Sequence, residues 1–506
     1  MFTSINDLFG ITPKKWQAKK IKIGGAHRVS LLILAFVGLL GYFRLPYTGV
    51  LIIIMLGVTV YEFIKRMDQG LPLMQIAALL AVLQWNVGAW LTYNVNFFYS
   101  TYFMRVSSDE YFAYSIPGTA AFVIGLLSVG LDSKLRGILQ NTDRSQFMEI
   151  GLVLATVGFA SGLAMKVVPG GLTFVFYLAS QLRYVAAVYF LFSKSPFRFV
   201  CAAISLLPLF IGSAQSAMFH DVMLWIALVG CYWYAMKRRR LWLTLLLLLF
   251  GFVAGFTVQG VKKSYREKVW NEEDASMTQE ISQFWANRHA VFGEENLSNA
   301  IIRINQGWII AAIMQNVPTQ EKYAMGDTLG DALSAALIPR IAVEDKTKAG
   351  GQVNYRRFTG LPMSDKTSMG LSLLGESYAN VGPDWGILLS LLFGVFMAIS
   401  FGLCLKWAVK HPTFYFWIPV IFCQTLKAET DFVTTLNHIT KGSVVAFFLY
   451  WLICEKLFPV RMISTGNASR KMSRLRKQSR RGGIQEGMEA VDFPRHHAKE
   501  LMPNNP

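Results

Sequence analysis

The sequence predicts an all-α, polytopic membrane protein of about 12 transmembrane helices with one large extracytoplasmic loop, and three observations predict it. Apolar residues make up 53% of the 506 residues, with a mean hydropathy of +0.38. That is too apolar for a soluble enzyme, whose surface has to carry more charge. The apolar residues fall into runs close to the ~20 residues that a helix needs to cross a bilayer. Lys and Arg give a formal net charge of +18, and most of them cluster at the ends of those runs, where they set orientation. Orientation accounts for the basic balance, and no nucleic-acid partner is expected.

Residues 1–28 form a basic N-terminus, with Lys14, Lys15, Lys19, Lys20, Lys22 and Arg28 ahead of the first run, so it is expected in the cytoplasm. A long basic stretch before that run, with no small-residue cleavage site, does not read as a cleaved leader. About nine spans are expected over 29–260, near Val29–Leu45, Tyr47–Phe63, Leu71–Thr92, Phe112–Leu131, Met148–Met165, Gly171–Phe192, Phe197–Ile211, Ala217–Met236 and Leu241–Gln259. Inside turns are those with Lys65 and Arg66, with Lys134, Arg136 and Arg144, with Lys194 and Arg198, and with Lys237 to Arg240.

The mostly polar stretch 261–383 is then the extracytoplasmic loop. Three further spans over 384–458, near Trp385–Trp407, Phe414–Leu426 and Ser443–Phe458, return the chain to the cytoplasm. Residues 459–506 form a basic cytoplasmic tail, rich in Lys, Arg and Ser from Arg461 to Arg481, solvated and able to touch anionic headgroups. The unequal groups of spans lack the matched halves common in secondary transporters.

All five cysteines, Cys201, Cys231, Cys404, Cys423 and Cys454, fall inside apolar runs, so the loop has no disulfide framework. His220 and His438 have no neighbouring His at ligand spacing, and no metal or other cofactor is expected.

Within the loop, Leu297, Ile301, Ile304, Trp308, Ala311 and Ala312 recur at helical spacing. They predict an amphipathic helix over Asn296–Asn316 on the protein or membrane surface, with Gly307 as a weak point, Arg303 off the apolar stripe and Pro318 ending it. A second short helix is expected over Thr328–Leu337, stopped by Pro339. Between Arg340 and Lys366 the loop collects Arg340, Lys346, Lys348, Arg356, Arg357 and Lys366. Such a cluster suits a pyrophosphate, because the Arg fork donates to phosphate oxygens in pairs; it suits equally a solvated loop near headgroups.

The loop closes on G-E-S-Y-A-N-V-G, Gly375 to Gly382. Glu376 there suits a general base, or else a charge favoured by the dipole in the first turn of a helix; Tyr378 and Asn380 accompany it. Arg183, beside Gln181 and Tyr184, falls near the middle of its span, where a charge is costly enough to mark function or a buried pair with a carboxylate such as Glu149. Gly212 to Gln215 read as a small-residue turn on the outside.

The dozen spans, the late loop, I-P-R at Ile338 to Arg340 followed by Lys346, and L-G-E-S-Y-A-N-V-G resemble the Wzy-type O-antigen and exopolysaccharide polymerases of bacteria. The likeness runs over roughly Arg183 to Leu405. It implies a GT-C-like membrane glycosyltransferase of the cytoplasmic membrane. Its donor is a growing glycan on undecaprenyl pyrophosphate, its acceptor a single lipid-linked repeat unit, and its working partners include a chain-length regulator and a flippase. By that analogy Arg340, Arg356 and Arg357 hold the donor pyrophosphate, with Arg303 and Arg183 as further candidates. Glu376 orients or deprotonates the acceptor hydroxyl, with Tyr378 and Asn380 beside it. The chain departs from the family in carrying Gln215 where an Arg is common, and one residue more than Gly-x-x-Gly between Gly382 and Gly386. An O-antigen ligase, a flippase or transporter of lipid-linked glycan, and a non-catalytic scaffold are the competing readings.

Overall fold

The structure, a computed structural model, describes residues 25–67, 70–94, 102–129, 142–216, 220–237, 242, 301–302, 304–338, 351–363 and 369–459. The basic N-terminus up to residue 24, the expected span Leu241–Gln259 apart from Trp242, the loop before Ile301, and the basic tail after Pro459 lie outside them. Among the described residues all regular structure is helical. Six helices among the described residues are long and apolar enough to cross a membrane: Thr48–Met67, Leu73–Asn94, Ser108–Leu127, Phe147–Ala164, Leu172–Phe192 and Leu373–Lys410.

In chain order the helices are α1 (Gly25–Tyr42), α2 (Thr48–Met67), α3 (Leu73–Ala81), α4 (Gly88–Asn94) and α5 (Ser108–Leu127). Then come α6 (Phe147–Ala164), α7 (Gly170–Ser180), α8 (Leu182–Phe192), α9 (Arg198–Ser216) and α10 (His220–Lys237). The loop contributes α11 (Gly307–Asn316), α12 (Asp327–Leu337) and α13 (Gln352–Thr359), and α14 (Leu373–Lys410), α15 (Ile418–Phe422) and α16 (Phe432–Tyr450) follow. The expected turn at Gly212 to Gln215 is instead the last turn of α9.

One end of the bundle is pinned by a polar cluster. His27 of α1 contacts Glu62 of α2 at 3.1 Å and the Leu127 carbonyl of α5 at 2.5 Å, and Ser30 donates to Glu62 at 2.6 Å. These are the ends that the basic-residue pattern groups together on one side. At the opposite end the Tyr42 hydroxyl donates to Asp384 at 3.2 Å.

α3 and α4 are one span joined by a π-helical turn, Val82–Val87. A π turn leaves carbonyls without their usual partners, and they are taken from outside the helix: Gln306 N–H donates to Gln84 O at 2.9 Å and the Tyr111 hydroxyl to Trp85 O at 2.6 Å. Through the first of these bonds the loop enters the bundle. α11 accordingly differs from the surface amphipathic helix that its periodicity predicts. It starts at Gly307, and Trp308 through Met314 are all buried, because the chain before it is pressed against the glycine face of α4: a Cβ on Gly88 would stand 2.7 Å from Asn305 Cα.

The expected span Phe414–Leu426 is also not a regular helix. Pro412–Phe416 and Cys423–Leu426 are 3-10 turns flanking the short α15, and nearly all of the run is buried. Pro412 and Pro419 remove helical donors. The run still travels antiparallel along α16: the Phe414 ring stacks on Phe447 at 4.6 Å, Thr413 bonds Tyr450 at 3.0 Å, and Ile421 lies against Gly442. A 3-10 turn rises about 2.0 Å per residue against 1.5 Å for an α-helix, so a short stretch covers most of the length of α16. Irregular backbone of this kind survives at membrane depth only when protein encloses it.

Candidate active site: Glu376 inside a broken helix

The G-E-S-Y-A-N-V-G segment is the start of α14. Ser372 caps it by accepting from Gly375 N–H at 3.0 Å, and Glu376 sits in the first turn. The helix then breaks at Gly382, whose φ of 77° and ψ of −173° suit glycine alone. The break folds the first part back against the second: a Cβ on Gly386 would lie 3.3 Å from the Ser377 carbonyl, a separation that no straight helix gives.

Pro383 explains where the carbonyls go. A continuous helix would pair Ala379 O with the N–H of residue 383, which proline lacks. Ala324 N–H takes Ala379 O and Met325 N–H takes Asn380 O, both at 2.9 Å. The turn ahead of α12 is thereby fastened to the break in α14.

This arrangement sets Glu376, at 0% exposure, among three helices. Its Oε2 accepts from the Phe432 N–H at 2.7 Å, at the first turn of α16, whose N-cap Asp431 accepts from Thr434 N–H at 2.7 Å. Carboxylates are favoured at a helix N-terminus, but here two of them share it, and they repel. Glu376 Oε1 makes no hydrogen bond of ordinary geometry among the described residues, although the Thr328 hydroxyl lies beside the carboxyl group. Asn380 is equally enclosed, its amide donating to Thr328 Oγ1 at 2.7 Å and to Glu376 O at 2.8 Å. Tyr378 stands edge-on to Tyr114, 5.0 Å between centroids, and near Tyr323 at 6.3 Å.

Three of the residues singled out in the sequence, Glu376, Tyr378 and Asn380, therefore come together. Arg356 and Arg357 are at the exposed end of α13: Arg356 reaches Met363 O, and Arg357 pairs with Glu321 at 2.7 Å. The start of α13 meets the cluster, since a Cβ on Gly351 would lie 3.2 Å from Asp431 Oδ2. Arg183 belongs to another contact, between α8 and α6. A Cβ on Gly158 would meet its backbone at 2.6 Å, and its guanidinium lies over the Tyr184 ring at 5.0 Å. Glu149, the carboxylate weighed as its partner, is exposed at the start of α6, about 14 Å up the helix from Gly158 at 1.5 Å per residue. Arg303 and Arg340 lie outside the described residues.

Several contributors went unnoticed in the sequence. Asp431 and Thr434 have the spacing of an N-cap, a readable signal; Thr328, Tyr114 and Tyr323 carry none. Arg105, between α4 and α5, reaches Gln315 at 3.5 Å and lies near Tyr355 of α13. Burial, with the Tyr102 phenol nearby, pushes the Tyr355 hydroxyl up to about 12 against the pull of Arg105, so it stays a neutral donor at physiological pH. Among the described residues no group of three His, Cys, Asp or Glu side chains could hold a metal ion.

The family described as Domain of unknown function (DUF8712) matches residues 91–399, well over half of the chain, and the chain belongs to it. The matched stretch includes α5 and the Glu376 helix as far as Ile399, and ends before α16. No curated protein and no solved structure matches the chain.

Proposed function

We propose that this member of the DUF8712 family is a membrane glycosyltransferase that polymerises undecaprenyl-pyrophosphate-linked repeat units into O-antigen or exopolysaccharide. It works at the outer face of the cytoplasmic membrane, with about 12 spans and both termini in the cytoplasm. The observation that carries the reading is the enclosed carboxylate of Glu376, held on a helix folded back into an apolar bundle and met by the start of α13, whose last turn carries Arg356 and Arg357. A buried acid with arginines on an adjoining loop helix suits transfer from an anionic, lipid-carried donor.

In the reaction the acceptor hydroxyl oxygen attacks the anomeric carbon of the donor glycan. The carbon–oxygen bond to pyrophosphate breaks, and undecaprenyl pyrophosphate leaves with the bonding electrons. Glu376 receives the hydroxyl proton on Oε1, while Phe432 N–H holds Oε2. Arg340, Arg356 and Arg357 stabilise the departing pyrophosphate, with Arg303 and Arg183 as further candidates for that role, and Tyr378 and Asn380 keep the Glu376 helix in place. Energy stored in the sugar–pyrophosphate bond drives the step without a nucleotide. Membrane lipids, a chain-length regulator and a flippase are the expected partners.

Deleting the gene in its native host and sizing the glycans on the carrier and the cell surface tests this. Glycan should stop at a single repeat unit, and the wild type should restore ladders where Arg340→Ala and Glu376→Gln do not. Long polymer retained on the carrier would instead indicate a ligase, repeat units trapped on the cytoplasmic face a flippase, and unchanged glycans would remove the polysaccharide reading.

A further inference from the structure

We infer that α12, although it belongs to the long polar loop, is a re-entrant helix whose tip contacts lipid acyl chains in the leaflet nearer the break in α14. This inference rests on the bundle spanning a bilayer and does not depend on the polymerase reading.

The direction of α12 follows from its bonds at each end. It starts at Gly326, φ 99°, just after Ala324 and Met325 dock on the break in α14. That break is the end of the bundle marked by Asp384 and by Trp385, which is 67% exposed. Thr328 then lies beside Glu376 and Asn380, level with the first turn of α16. Further on, Ala335 O accepts from Lys441 Nζ at 2.6 Å, and Lys441 is midway along α16. Between Thr328 and Ala335 the helix advances about 10 Å, so α12 runs parallel to α16 and down its side.

The tip exposes Leu333, Leu337 and Ile338 beside Ser334. Leu333 is 44% and Leu337 71% exposed. Directly below, on the same face of α16 as Lys441, Val444 is 69% and Phe448 57% exposed; positions three and seven residues on share a helix face. The edge of α12 is therefore continuous with an open apolar stripe of a helix that runs the length of the bundle, and hydrocarbon is the solvent that such a stripe takes.

Lys441 fits this placement. A helix that ends inside hydrocarbon leaves its last carbonyls without water, and the negative end of its dipole favours a cation. The Lys441 ammonium supplies both the donor and the charge, which gives a mid-helix lysine a reason to stand there.

The test is collision accessibility of a spin label in proteoliposomes of phosphatidylcholine and phosphatidylglycerol. The five native cysteines are replaced, and single cysteines are placed at Leu337, at Leu333, at Val444 as the lipid reference and at Val353 of α13, 74% exposed, as the water reference. Labels at Leu337 and Leu333 should relax strongly with oxygen, which partitions into hydrocarbon, and weakly with a water-soluble nickel chelate. That is the order shown by Val444 and the reverse of Val353. Chelate accessibility like that of Val353 would overturn the inference, and so would protection from both agents, which would mean that protein covers the tip. Two label positions keep the outcome readable if one variant fails to assemble.

Discussion

Replacing Glu376 by Gln and by Ala separates the chemistry of this carboxylate from its part in holding the fold. Glu376 Oε2 accepts from Phe432 N–H at 2.7 Å at the start of α16, within a fully buried setting. Gln keeps an acceptor of the same shape and removes the repulsion with Asp431; Ala removes the acceptor and leaves an N–H orphaned. Leaving a buried donor unsatisfied costs about 1–3 kcal/mol, and the vacated side-chain volume adds a cavity cost of similar order. Glu376→Ala should lower both abundance and the thermal midpoint of the detergent-purified protein by several degrees. Glu376→Gln should stay near the wild-type midpoint and still give only single-repeat glycan in the complemented deletion strain. A Gln variant that rebuilds full ladders refutes a proton-accepting role. A Gln variant as unstable as the Ala variant refutes the geometric argument that an amide can serve Phe432.

The break in α14 should not tolerate a side chain. Gly382→Ala has to occupy φ 77°, ψ −173° and meet the Tyr323 ring 3.2 Å away, a cost of about 1–3 kcal/mol, visible as a lower thermal midpoint and reduced abundance. Gly125 lets α5 and α14 touch backbone to backbone, its added Cβ lying 2.5 Å from Leu391 O. Gly125→Leu should therefore separate the two helices and destabilise the protein by more than the about 1–3 kcal/mol typical of overpacking against side chains; normal folding of this variant by size-exclusion profile and midpoint would count against the crossing. Lys441→Met should cost about 1.5–3 kcal/mol and free the tip of α12, so that a label at Leu337 gains mobility, while Lys441→Arg keeps the donor and the low mobility.

The helical class and the position of most long helices were legible in the sequence because both depend on local composition. The runs Tyr47–Phe63, Phe112–Leu131 and Met148–Met165 correspond to Thr48–Met67, Ser108–Leu127 and Phe147–Ala164 within a few residues. Basic residues at run ends also anticipated which helix ends share a side, as the contacts of His27 with Glu62 and Leu127 illustrate. Periodicity failed where a segment is enclosed all round. α11 has an apolar stripe and was expected on a surface, yet its other face is covered as well, because the π turn of the preceding span offers it a free carbonyl at Gln84.

For the site, the sequence brought Glu376, Tyr378 and Asn380 to notice because they are neighbours in a short motif at a polar-to-apolar boundary. It determined by itself that the protein is helical and apolar, where its punctuating Gly382 and Pro383 stand, and which residues carry charge into apolar surroundings. Only the tertiary structure decided that this punctuation folds a helix back on itself, that Glu376 caps α16 instead of lying open at a membrane edge, and that Arg183 packs against Gly158 away from Glu149. The physical reason is that composition acts residue by residue, whereas the partner of a freed carbonyl or a buried carboxylate is chosen by whatever distant backbone the packing brings within hydrogen-bond reach.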